Sequence, residues 1–204
     1  MNLAEIWTAI DEGRHADAER LLHDDPDLLA SRAGQMAHGY ILAHTGRHPE
    51  ARDVYARLRA AHAGDEWEHI AVHQQGMVER LAGDHAAALA HFEQELQLIR
   101  ALGDRPHKLA VNAYELGVTS LALGRVEAAR THLQDSLRNA HRQDDPVAVA
   151  CAERGLGEVA AYEGNVGEAR AHYARAIEAF EDAEDEVGIR EVQALMDALK
   201  VHEA

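Results

Sequence analysis

Aromatic side chains are scarce in this chain of 204 residues: two Trp, five Tyr and two Phe make up 4% of it. Ala, Leu, Glu and Arg abound instead, so local propensity favours helix almost everywhere and leaves little from which to build sheets. Proline occurs only four times. No segment approaches the roughly 18 uninterrupted apolar residues that a membrane-spanning helix requires, which predicts no membrane insertion. The lone cysteine, Cys151, excludes an intramolecular disulfide, and the segment Met1-Asn2-Leu3-Ala4-Glu5 has neither a basic leader nor a long apolar stretch, so a cytoplasmic protein is expected. Basic residues are also few, 20 against 36 acidic ones, for a net charge of −16. Such a surface repels a phosphate backbone, and nucleic acid is not an expected partner. The acidity reads first as solubility, with a docking field for a basic partner as the alternative, and the run from Glu178 to Glu186 reads as a solvated helix end and linker.

What the chain does have is 47% hydrophobic residues, enough for a sizeable core, and a recurring phrase. A glycine turn followed by alanine appears at Gly13 to Ala18, Gly46 to Ala51, Gly83 to Ala88, Gly124 to Ala129 and Gly164 to Ala169, with successive glycines 33, 37, 41 and 40 residues apart. A second set, Gly39, Gly76, Gly117 and Gly157, precedes the last four of these turns by seven residues each. The turn glycine can take the left-handed conformation that ends a helix. The earlier one falls inside a helix, where glycine costs about 1 kcal/mol against alanine and is tolerated when a neighbouring helix must come close.

These residues resemble the tetratricopeptide repeat family, whose helix-turn-helix signature reads W-x2-L-G-x2-Y followed by A-x3-F. Leu116-Gly117 with Ala129 and Leu133 fits best; Leu156-Gly157 with Ala169 and Tyr173, Gly76 with Ala88 and Phe92, and Gly39 with Ala51 and Tyr55 follow. The first repeat keeps only its turn, Ala18 and Leu22. The family's Trp is replaced by Gln35, Val72, Ala113 and Glu153, and its Tyr by Leu42, Glu79, Ser120 and Ala160. Spacings near 40 look like the longer-helix variety of the family. The resemblance implies an all-α fold, a right-handed superhelical solenoid of about five antiparallel helix pairs, as a single repeat domain over residues 1–204. The pairs fall near 2–23, 26–62, 66–102, 105–142 and 145–183, and a capping helix near 186–201 seals the last one with Ile189, Val192, Met196 and Leu199 on one face. Within them one continuous helix is expected over 26–45. Asp25, Asp104 and Asp145, each just ahead of a proline, supply capping carboxylates.

Gly155-Leu156-Gly157 mimics a dinucleotide-binding turn, but the repeat register places it inside a helix, so no cofactor is expected. His69 and His73, with Glu66 nearby, have metal-ligand spacing; with 15 histidines, chance accounts for such pairs, and no metal site is expected. Cys151 in an Ala-rich helix reads as a small buried thiol, and no nucleophilic grouping stands at motif spacing, so no catalytic residue is assigned.

In the family, the first helix of each pair lines a concave groove, and the resemblance places the binding surface there. Residues at i, i+4 and i+8 around the packing glycines give Met36, Tyr40 and His44; His73, Met77 and Leu81; Tyr114, Val118 and Ala122; and Arg154, Glu158 and Tyr162. Trp7 joins them from the first pair, with Arg80 and Leu121 flanking. Family members that grip chaperone carboxyl termini use Asn and Lys here, whereas this chain has Met77, Val118 and Glu158. The expected function is a non-catalytic protein-interaction module, an adaptor or scaffold holding a peptide or helix with apolar anchors. A peptide-sensing regulator is the alternative and a metal-dependent enzyme the third reading. A second copy of the chain is an equally acceptable occupant of the groove.

Overall fold

The computed structural model describes residues 3–103 and 105–201, which divide after Leu98 into two compact units. The first contains α1 (Leu3–Asp11), α2 (His15–His23), α3 (Pro26–Ala30), α4 (Arg32–His44), α5 (His48–Ala61), α6 (Glu68–Leu81) and most of α7 (His85–Ala101). The second contains α8 (Pro106–Ala122), α9 (Val126–His141), α10 (Pro146–Tyr162), α11 (Val166–Asp182) and α12 (Glu186–Val201). No strand occurs among the described residues. In the first unit α1 packs on α2, α4 on α5 and α5 on α6; in the second, α8, α9, α10, α11 and α12 each pack on the next.

One contact recurs in both units. One glycine inside the first helix of each of four pairs faces the large side chain sixteen residues later: Gly39 faces Tyr55, Gly76 Phe92, Gly117 Leu133 and Gly157 Tyr173. A Cβ on Gly157 would stand 2.5 Å from the Tyr173 ring, and one on Gly117 would stand 2.6 Å from Leu133 Cγ, so even alanine must displace its neighbour. The glycine's helix-propensity penalty is the local cost of letting a buried ring or isobutyl group lie directly on the backbone. Leu133 is held from two sides, since Gly155 of α10 also approaches its Cδ2 within what would be 2.6 Å of a Cβ. The repeated alanines Ala51, Ala88, Ala129 and Ala169 are fully buried below these contacts. Between the helices, Gly46 and Gly164 take φ of 77° and 78°, the left-handed conformation that lets the following N–H reach back to close the helix.

At three positions where this chain lacks the family's aromatics, polar side chains are held by hydrogen bonds. Glu153, 6% exposed, accepts from Arg175 at 3.0 Å and lies 2.6 Å from His172 Nδ1. Burial pushes its carboxyl up, but those hydrogen bonds and the neighbouring positive charge outweigh burial and hold it below its ordinary range. Glu79 takes both arms of Arg52, at 2.7 and 2.6 Å, and Gln35 donates to the Leu29 carbonyl at 2.7 Å.

The expected helix over 26–45 is in fact two. Ser31 adopts an extended conformation, φ −69° and ψ 157°, and its hydroxyl accepts from Gly34 N at 3.1 Å, capping α4. Gly34 then lies directly on the Leu28 carbonyl, a crossing closed to any side chain. Asp25 and Asp145 cap α3 and α10 as expected, accepting from Leu28 N and Ala148 N at 3.0 Å each; the cap expected of Asp104 lies outside the described residues. In α12, Val192 and Leu199 are buried and Ile189 and Met196 partly so, against a cluster that includes Tyr173 and Phe180.

Candidate interaction face

In the first unit the residues expected on the inner face separate into three groups. Trp7 meets Tyr40 edge-on at 5.6 Å, Tyr40 stacks on His44 at 4.0 Å, and His44 stacks on His15 at 6.1 Å, so α1, α2 and α4 share one line of rings. Burial and the neighbouring His15 and Arg80 lower the His44 pKa, which keeps that imidazole neutral in the stack. Met36 lies apart from this line, in a cleft of about 60 Å³ with Arg32, Leu58 and Trp67, where the Arg32 guanidinium sits 3.6 Å from the Trp67 ring centre. On α6, His73 turns to Glu95 of α7 at 3.0 Å, while His69 is 3.9 Å from the same carboxylate. The two histidines therefore share a buried acid between paired helices. Met77 is half-buried with Arg80 Nη2 3.7 Å from its sulfur, and Leu81 is 38% exposed.

In the second unit Tyr114 and Arg154 come together from α8 and α10, with Arg154 Nη2 donating to the Tyr114 hydroxyl at 2.6 Å and Nη1 to Glu191 of α12 at 2.9 Å. Burial raises the Tyr114 pKa to about 12 even though Arg154 opposes the shift. Burial likewise raises Glu158, against the attraction of Arg154. Val118 and Leu121 are half-buried against Leu133, Leu156 and Val159. Tyr162, at 63% exposed, is the most open large apolar side chain among the described residues.

Beside Tyr114 lies a feature that the sequence analysis did not find: a cavity of about 360 Å³ between the first turns of α8 and α10, floored by α9. Its walls are Ala110, Val111, Val147 and Ala148; Tyr114, Cys151 and Ser136 stand deeper, and His107 and Asp145 mark the mouth. Val111 and Val147 are 36% and 45% exposed, so the cavity's rim is apolar. Ser136 spends its hydroxyl on the Ala110 carbonyl at 2.8 Å, so the floor presents no free donor. His107 Nδ1 lies 3.2 Å from Asp145. Burial raises the Cys151 pKa, with nearby Arg154 opposing and Asp185, Glu115 and Asp145 adding to the shift, which keeps the thiol protonated and a poor nucleophile. The signal was present in part, since His107, Val111, Tyr114 and Val118 continue one helical stripe, but the cavity is a gap between helices some forty residues apart.

Tetratricopeptide repeat models match residues 67–142 and, separately, residues 33–57. No curated protein matches the chain in sequence. Among solved structures it is similar to BtubC (BKLC) from P. vanneervenii, at 15% identity and a TM-score of 0.66 over 98% of this chain and 90% of that one. It is also similar to pilF of Pseudomonas aeruginosa, at 16% identity and a TM-score of 0.61 over 97% and 89%. A chain of the APC/C hetero-tetramer Cut9-Hcn1 aligns at 15% identity and 0.52, over 93% of this chain and 42% of that one. At such identities the likeness is one of fold. With the glycine, alanine and bulky positions of the repeat at their places in the packing, residues 33–57 and 67–142 carry tetratricopeptide repeats.

Proposed function

We propose that the chain is an interaction scaffold whose second unit takes an apolar side chain of a partner peptide into the cavity between α8 and α10. The repeats support a role in protein interaction in general; the cavity supports the finer reading. About 360 Å³ of apolar, partly open space accommodates a leucine or an aromatic ring, and the Ser136 hydroxyl on its floor already donates its hydrogen to the Ala110 carbonyl. The net charge of −16, with Asp145 at the mouth and Glu115 and Asp185 close enough to act on the Cys151 thiol, favours basic residues on either side of that anchor. Among the described residues no helix is long and apolar enough to cross a membrane.

The test is to select peptides from a random displayed library on the parent protein, synthesise the enriched sequences and titrate them by fluorescence anisotropy. Enrichment of an apolar residue flanked by Lys or Arg is expected. Val111→Glu and Tyr114→Ala should each weaken binding by about 1–3 kcal/mol, the cost of losing a binding hot spot. Met77→Ala applies the same question to the first unit. The reference is Arg138→Glu, since Arg138 is 66% exposed and pairs with Asp135 on its own helix. Arg130 is no such reference, because it bridges from α9 to Glu163 and Glu168. Unchanged affinity in the inner variants with loss in Arg138→Glu would move the binding site to the other face. A concentration-dependent dimer that Val111→Glu converts to monomer would assign the cavity to a second copy.

A further inference from the structure

Away from this face, the first unit gathers Glu19 and His23 of α2 and His38 of α4, with one ligand atom from each lying within 4.8 Å of the others. Glu19 and His23 are one helical turn apart and project on the same side, and α4 packs against them. His23 Nδ1 lies 2.8 Å from the Glu19 backbone carbonyl. A carbonyl only accepts, so Nδ1 carries the hydrogen and Nε2 presents its lone pair outward, the arrangement in which metal-binding histidines are oriented by a backbone acceptor. The Nε2 of His38 is enclosed and has no hydrogen-bond partner; the nearest acid oxygen, Glu19 Oε1, is 3.8 Å away, too far for a hydrogen bond. The rings of His23 and His38 stand perpendicular, with centres 5.4 Å apart.

We propose that Glu19, His23 and His38 form a binding site for a divalent transition metal of the zinc class. Two imidazoles and one carboxylate are the donor set that suits Zn2+, and they serve Cu2+ and Ni2+ as well; hard cations such as Mg2+ prefer oxygen alone. Tetrahedral coordination at about 2.0–2.1 Å sets neighbouring ligand atoms about 3.3–3.4 Å apart, and separations within 4.8 Å close to that by side-chain movements of at most about 1.4 Å. Adverse to a cation is Arg47, whose Nη1 lies 2.6 Å from Glu19 Oε1. Its charge is already offset by Glu50, which takes Nε and Nη2 at 2.8 and 2.6 Å. With neutral imidazoles, the two carboxylates and one guanidinium leave the site a net negative charge for an incoming cation. Three protein ligands leave the fourth position to water on the exposed His23 side, and the ion would tie α2 to α4.

Untagged protein, stripped with chelator, is titrated calorimetrically with ZnCl2 and, in parallel, with Co2+ followed by its visible d–d absorption. One ion per chain is expected, with the intense bands of four-coordinate Co2+. His38→Ala and Glu19→Gln should each weaken binding at least about tenfold. Glu19→Gln retains the hydrogen-bonding shape toward Arg47, so loss there is loss of the ligand charge and not of folding, and circular dichroism checks both variants. The double variant His69→Ala/His73→Ala should bind as the parent does. Arg47→Gln, which removes a competing cation, should bind more tightly by several-fold. Only weak, multi-site uptake by the parent, or equal affinity in the parent and His38→Ala, would overturn the assignment.

Discussion

The first unit packs its rings on one another, Trp7 on Tyr40 on His44 on His15, whereas in the second unit Tyr114 is tied to Arg154 and a cavity of about 360 Å³ stays open beside it. Both units are nevertheless built on the same contact, a helix glycine beneath a large side chain sixteen residues on. The difference teaches that the contact holding a pair together does not determine what the pair can bind. That is decided one or two turns away, where the first unit spends its aromatics on one another and the second sets small residues, Ala110 and Ala148, opposite valines. The units also treat their missing family aromatics differently: Glu153 is buried among two bases, while the Arg52 side chain that holds Glu79 is 43% exposed.

The shared contact is the place where the comparison breaks most strongly. Gly157→Leu, which forces a side chain onto the Tyr173 ring, should destabilise the protein by about 3 kcal/mol, the upper part of the usual overpacking range, since helix propensity returns only about 1 kcal/mol. Gly39→Leu, beneath Tyr55, should act similarly in the first unit. Urea melts followed by circular dichroism check both, and parental stability in either would show that the close approach is not needed.

The buried acids sharpen the contrast at smaller cost. Glu153→Gln should lose about 1–3 kcal/mol at pH 7, because a hydrogen-bonded charge is removed from between His172 and Arg175. The folded-state pKa of Glu153 lies below its ordinary value, so its contribution is complete above the unfolded-chain pKa and disappears as pH falls through the folded one. The gap between parent and variant should therefore narrow as pH drops below about 4; a gap constant from neutral pH into acid would show that the carboxylate charge does not stabilise the fold. Glu79→Gln, facing the more exposed Arg52, should cost about 1 kcal/mol or less in the same melts. Arg138→Glu, on the solvated side of α9, should stay within about 0.5 kcal/mol of the parent.

The sequence reveals what is local. Turn glycines, buried alanines, the caps at Asp25 and Asp145, and the register that pairs Gly117 with Leu133 are all readable because each depends on residues close along the chain or on a strict repeat. The break at Ser31 escapes that reading because proline at 26 and a good helical composition after it give no warning that Gly34 must cross the Leu28 carbonyl. The helical ladders find Tyr114 and Arg154 but not the space beside them, since a cavity is made by what two distant helices leave unfilled. They also treat His73 as an inner-face residue without seeing Glu95 on the next helix. Likewise Glu19 and His23 show their spacing, whereas His38 joins them only when α4 is packed in place.

Cys151 gives the cavity its own reporter, because it is the chain's sole cysteine and lies in the cavity wall. The decisive measurement is the rate at which a soluble disulfide reagent modifies this thiol, at a pH high enough to ionise it, with and without saturating selected peptide. A side chain seated between α8 and α10 should slow the reaction by at least about tenfold, in proportion to occupancy, through loss of access to the thiolate. A peptide that saturates the protein and leaves the rate unchanged would contradict the claim that the cavity holds its anchor.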